Sequence, residues 1–151
     1  MKRNYPLFLF LLFFASSCKD KKNPAPESEN NIDAARNFIR SALDGKFDEA
    51  RKYMLQDSVN MNYMDVAERS FQKADKATKN GYRTSSINIH EVTEPVKDSI
   101  TLVIYSNSFK NDPDTLRVIK MEGKWLVDLK YLYEHDADTL LNNPNLNDTL
   151  K

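Results

Sequence analysis

The sequence predicts an α+β domain: N-terminal helices packed on a curved antiparallel four-stranded meander. Apolar residues recur every three or four positions between residues 31 and 80, and every second position in the runs between residues 85 and 133. The connectors between the alternating runs are short and rich in turn formers, so consecutive strands run antiparallel. Helices followed by such a meander bury one apolar face of the sheet.

The first helix spans residues 31–44. Ile32, Ala35, Phe38, Ile39, Ala42 and Leu43 form one face, Asn31 is placed to cap the start, and Gly45 ends the helix in a left-handed conformation. Residues 47–55 predict a short second helix, with Asp48 as its cap and Ala50, Tyr53, Met54 and Leu55 inward. Residues 60–80 predict one long third helix with the stripe Met61, Met64, Ala67, Phe71, Ala74 and Ala77, stopped by Asn80-Gly81.

The period then changes. Ile87, Ile89 and Val92 mark a strand over 85–94, which Pro95 ends. Ile100, Leu102, Val103, Ile104 and Tyr105 mark a second over 99–108, and Leu116, Val118 and Ile119 a third over 115–121. Trp125, Val127, Leu129 and Tyr131 alternate strictly over 124–133 and predict the fourth. The connectors are Pro95-Val96-Lys97-Asp98, Asn111-Asp112-Pro113-Asp114 and Glu122-Gly123. Residues 134–151 read as a polar tail, with a short helix expected over 136–141.

The start of the chain carries a different signal. Lys2 and Arg3 precede an unbroken apolar run from Leu7 to Phe14, and Ala15-Ser16-Ser17 lead to Cys18, the only cysteine. The run is too short to span a bilayer, which takes about 20 residues. A lone cysteine forms no disulfide within the chain. The arrangement resembles a bacterial lipoprotein signal, with residues 1–17 removed and Cys18 bearing the lipid. The resemblance implies a membrane partner held through the acyl chains on Cys18. One acyl chain binds only marginally, and bacterial lipoproteins carry two or three. Lys19 in the second mature position implies outer-membrane sorting. Lys19-Asp20 also resembles part of the surface-export signal of Bacteroidetes lipoproteins, and the periplasmic and surface faces both stay open. Residues 19–30 hold Pro24, Pro26 and charges of both signs but no large apolar residue, so a disordered tether is expected there.

The whole chain balances 22 basic against 22 acidic side chains. Removing residues 1–17 takes away Lys2 and Arg3, leaving 20 against 22, about −2. That is no footprint for nucleic acid, which calls for a basic face. Residues 31–133 are enough for one domain, and with no second cysteine a hydrophobic core must hold it. Three glycines argue against a glycine-rich phosphate loop.

The helix–helix–helix–strand order carries a resemblance, together with Asp44-Gly45-Lys46-Phe47-Asp48-Glu49-Ala50 between the first helices and Glu122-Gly123-Lys124-Trp125-Leu126-Val127-Asp128 on the last hairpin. Residues 31–133 resemble the cystatin-like, nuclear-transport-factor-two-like superfamily, and more narrowly Bacteroidetes lipoproteins of unknown function with that fold. The resemblance implies a cone with Trp125 on its concave face, and some members are enzymes that use a pocket Asp, His or Tyr.

No catalytic constellation is placed by spacing. His90 lies in the first strand run in register with Asn88 and Val92, and His135 follows the last. No triad partner accompanies either. Two distant histidines without a further cysteine match no metal-ligand spacing. Asp112 and Asp114 flank Pro113 as turn residues, without the twelve-residue loop of a calcium site. No cofactor is expected. The aromatic residues have two readings, ordinary core packing and a lined cavity for a small apolar or amphipathic ligand. Tyr53, Phe71, His90, Trp125 and Tyr131 are the candidate pocket-lining residues. The function expected is a lipid-anchored envelope domain that binds a ligand or an envelope protein without catalysis. The alternatives are a small-molecule lyase or isomerase with His90 as base, and a structural subunit of an envelope complex.

Overall fold

A computed structural model describes residues 28–134. The signal segment, Cys18, His135 and the helix expected over 136–141 lie outside the described residues. The chain folds as α1 (Asn31–Leu43), α2 (Phe47–Ala50), a 3-10 turn (Arg51–Tyr53), α3 (Ser58–Lys73), α4 (Lys76–Thr84), β1 (Ile87–Val96), β2 (Ile100–Asn107), β3 (Asp114–Met121), β4 (Lys124–Asp128) and α5 (Leu129–Glu134). The four strands form one antiparallel sheet in the order β1-β2-β3-β4, so the α+β meander is present as expected.

The N-cap of α1 is Asn30, whose side chain accepts from the Asp33 N–H at 2.9 Å. Asn31 instead reaches across to the sheet, donating to Thr101 Oγ1 at 2.7 Å and to Glu94 Oε1 at 3.0 Å. The helix ends where Gly45 takes φ +76°. Gly45 N–H donates to Ala42 O and Lys46 N–H to Ser41 O, the paired bonds of a Schellman motif. The second helix is shorter than its apolar spacing suggests. It begins at Phe47 without a side-chain cap from Asp48 and passes into the 3-10 turn. Met54 then leaves the helix to bridge Val127, and Leu55 N–H donates to Val127 O at 2.9 Å, lengthening the sheet beside β4.

The expected long third helix is two helices. Asp57 caps α3 by accepting from Val59 and Asn60 N–H, so α3 starts two residues early. Ala74 and Asp75 are extended, and Asp75 restarts the helix by accepting from Thr78 N–H at 2.7 Å. Asn80-Gly81 therefore sits inside α4 and stops nothing. Gly81 leaves room for a neighbour: a Cβ there would collide with the Phe109 ring. Arg40 closes the end of α4 from α1, donating to Ser85 O at 2.7 Å, Arg83 O at 3.1 Å and Tyr82 O at 3.2 Å, three carbonyls of the helix's last turn and cap.

Pro95 lies within β1 and does not end it, because β1 is an edge strand and its pairing is already irregular between Thr93 and Val96. Glu122 and Gly123 both take positive φ, 50° and 81°, as a two-residue hairpin of the twist-matched kind requires. The fourth strand is cut short. It ends at Asp128, and residues 129–134 are helical despite the alternation of Trp125, Val127, Leu129 and Tyr131. Asp128 Oδ1 accepts from Lys130 N–H at 3.1 Å, and the buried Asn60 Oδ1 accepts from Leu129 N–H at 2.6 Å, so two side chains turn the strand into a helix.

Strand residues alternate between faces. Val103, Leu116, Val118 and Val127 face the helices and are fully buried against Phe38, Ile39, Phe47 and Met54. On the other face Ile100, Leu102 and Ile104 of β2, Ile119 of β3 and Leu126 of β4 are each only half-buried. Beside them Arg117 donates to Asp128 from Nε at 3.2 Å and also from its terminal nitrogen.

Asn60→Ala removes the acceptor for Leu129 N–H and the donor to Asp57 Oδ2 (2.7 Å). A buried donor left unpaired costs about 1–3 kcal/mol. Urea unfolding is expected to show that loss, and a smaller one, about 1 kcal/mol, for the cap variant Asp57→Ala. Equal losses would mean that Asn60 acts only through the cap.

Candidate functional site

The helix layer does not fill the space above the sheet. A cavity of about 130 Å³ lies between Phe38 and Ile39 of α1, Met64 of α3, Tyr105 and Asn107 of β2, and Leu129 and Leu132 of α5. A groove of about 470 Å³ adjoins it, walled by Val66, Ala67 and Phe71 of α3, by Ala74, and by Thr78 and Tyr82 of α4. Ala42, Leu43, Ala67 and Tyr133 belong to both walls, so the two spaces share a boundary. The break between α3 and α4 makes the groove: one continuous helix would carry Thr78 and Tyr82 past Phe71, not back beside it.

The groove wall is aromatic at its outer end. Phe71 meets Phe47 edge-on at 5.5 Å between centroids and Tyr82 at 6.3 Å, and Tyr82 meets Phe109 edge-on at 5.1 Å. Gly45 lies against the Phe71 ring, where a Cβ would collide with it. Tyr133 stacks on Tyr63 with centroids 4.6 Å apart. Lys79 Nζ and Arg83 Cζ stand 6.0 and 5.9 Å from the Phe71 centroid.

Polar groups gather at the sheet end. Tyr105 is paired in register with Asp114 at the start of β3. Burial, and then the nearby Asp114 and Tyr133, push the Tyr105 hydroxyl well above the ordinary tyrosine range. Burial raises Tyr133 as well, with Asp114 and Tyr63 adding to it. Asp114 stands at an exposed strand end, yet its carboxyl is partly desolvated, and with Asp112 close by it is held above the usual carboxylate range.

Of the five residues singled out from sequence, Phe71 lines the groove. Tyr53 is buried in the core beside Ala50 and Met54. Trp125 packs partly buried against the core, with Lys120 Nζ 5.3 Å from its ring. Tyr131 is buried under Arg117, whose guanidinium carbon is 5.2 Å from its ring. His90 is exposed at a bulge, where the pairing skips from Ile89–Tyr105 to Glu91–Ile104. Its Nε2 lies 2.8 Å from Ser106 Oγ. Ser106 alternates with Tyr105 and Asn107, so this contact is on the side of β2 away from the cavity. Sequence reasoning missed Asp114, which the preceding proline marked as a turn, and Tyr82, which the supposed stop at Asn80-Gly81 placed outside any helix.

No group of His, Cys, Asp and Glu among the described residues is arranged to hold a metal ion. No described helix is long and apolar enough to cross a membrane.

Asp114 carries a prediction. Its folded-state pKa is raised, so the folded state holds the proton more tightly, and stability falls as pH rises from about 3.9 through the raised value. Asp114→Asn is therefore expected to raise the thermal midpoint at pH 7 relative to the parent, with the gain shrinking below about pH 4. A gain independent of pH would show that the carboxyl charge is not its source.

No family model matches the sequence, and no curated protein and no solved structure matches it either.

Proposed function

We propose that this chain is a lipid-anchored protein of the bacterial envelope, tethered through Cys18 to the outer membrane. On this reading its folded part is a nuclear-transport-factor-two-like cone that binds a small apolar or amphipathic ligand without catalysis. The observation that carries the binding role is the groove of about 470 Å³ beside a smaller apolar cavity. Ligand sites are typically mostly apolar clefts of about 300–1,000 Å³ with few polar groups. The tether rests on the sequence from Lys2 to Cys18. The lyase or isomerase alternative needs His90 as a base beside the cavity, and the His90–Ser106 contact lies on the other side of β2.

Two measurements test the two halves of this reading. Cys18→Ala is expected to abolish acyl labelling and release the chain from membranes. A variant still labelled and membrane-bound would end the lipoprotein reading. Native mass spectrometry of the full chain purified from its own host is expected to show a bound small molecule. A bare chain mass, together with no binding of apolar probes, would end the ligand reading.

One observation favours a second reading, a structural subunit of an envelope complex. The half-buried Ile100, Leu102, Ile104, Ile119 and Leu126 make a contiguous aliphatic face on the sheet, flanked by the exposed Met121 and Val96. On this reading Ile104→Lys dissociates an assembly seen in sedimentation of the full chain, and a parent that sediments as a monomer rules it out.

A further inference from the structure

We propose that the groove takes a single-chain anionic amphiphile, its alkyl chain along Leu43, Ala67 and Phe71 and its carboxylate or phosphate head at Lys79 and Arg83. This rests on the groove being a ligand site and adds the class of ligand. The walls favour an apolar chain: Leu43, Val66, Ala67, Phe71 and Ala74 present no polar side-chain atom, and the polar atoms of the lining are the uncharged hydroxyls of Ser70, Thr78, Tyr82 and Tyr133.

The head is set by charge. Lys79 and Arg83 do not line the groove but stand 6.0 and 5.9 Å from the centroid of the Phe71 ring, which does. Both are fixed by neutral partners: Lys79 Nζ donates to Gln72 O at 2.7 Å, and Arg83 Nε to Asp44 O at 3.2 Å. Neither forms an ion pair among the described residues. The neighbouring carboxylates have other hydrogen-bond partners, although Asp75 is near enough to feel the charge of Lys79. Asp44 is paired with Arg40 at 2.9 Å and Lys46 at 3.1 Å, and Asp75 caps α4. Two cations thus keep donors available for an anion.

The opposite end sets the orientation. The inner cavity is lined by apolar and uncharged residues with no cation among them, so an anionic head finds no partner inside and finds one at α4. The chain enters tail first, toward Met64 and Leu129.

The test is calorimetric titration of the detergent-free full-length chain with decanoate, decyl phosphate, decanol, decyltrimethylammonium and inorganic phosphate. Decanoate and decyl phosphate are expected to bind about tenfold more tightly than decanol, the size of one charge-assisted hydrogen bond. Lys79→Gln with Arg83→Gln is expected to erase that gap, so that decanoate and decyl phosphate bind no more tightly than decanol. Each single variant should erase part of it, so the result does not depend on the double variant folding. Equal binding of all decyl probes overturns the proposal and leaves the groove as a ligand site. Tightest binding of decyltrimethylammonium also overturns it, as does inorganic phosphate binding as tightly as decyl phosphate. If none of the probes binds, both the proposal and the ligand-site reading fall.

Discussion

A single buried amide holds the point at which the sheet becomes a helix. Asn60 takes the Leu129 N–H on its oxygen and gives its own N–H to the carboxylate of Asp57. Asp57 in turn caps α3. One network therefore fixes where α3 begins and where β4 ends. The bonds to Asp57 also hold its carboxyl below the usual carboxylate range, chiefly through the Asn60 N–H and side chain. Everything α5 contributes depends on that turn. Had β4 continued, side chains would point alternately to the two faces of the sheet. Because it stops at Asp128, Leu129, Leu132 and Tyr133 close one end of the cavity.

The second constraint is the break at Ala74 and Asp75. One continuous helix over residues 58–84 would be the simpler product of this apolar spacing. Two shorter helices instead bring Tyr82 back toward Phe71 and make a wall where a bare helix face would stand. Asp75 makes the break stable, since its side chain satisfies an N–H that the interrupted helix leaves open. The groove follows from capping chemistry as much as from apolar packing.

Local pattern revealed the strands and their order. Alternation of Val103 with its neighbours, and the Glu122-Gly123 pair, are short-range signals that the tertiary structure did not override. The helix boundaries were harder to read. Asn30 and Asn31 are both capping residues, and only the distant Thr101 and Glu94 decide which is free to cap. Trp125, Val127, Leu129 and Tyr131 keep perfect period two, yet Leu129 and Leu132 are also spaced for a helix, and Asp128 before them is a cap. A partner 69 residues away settles that ambiguity. Of the site, Phe71 was legible because a helical stripe exposes its members. Asp114 was not, because its role comes from pairing with Tyr105 across the sheet.

The helix that walls the groove is the least rooted element of the fold. None of its residues is buried. It is held by the Arg40 guanidinium at one end, by the bonds of Lys79 to Gln72 O and Arg83 to Asp44 O, and by the contacts of Tyr82 and Gly81 with Phe71 and Phe109. Regions with few buried contacts open at low free energy, far below that of global unfolding. α4 is therefore the element whose release would cost least while the sheet and α1 stay intact. An occupant that bridged Phe71 and α4 would add to the hold on that helix, because whatever binds only the closed arrangement stabilises it.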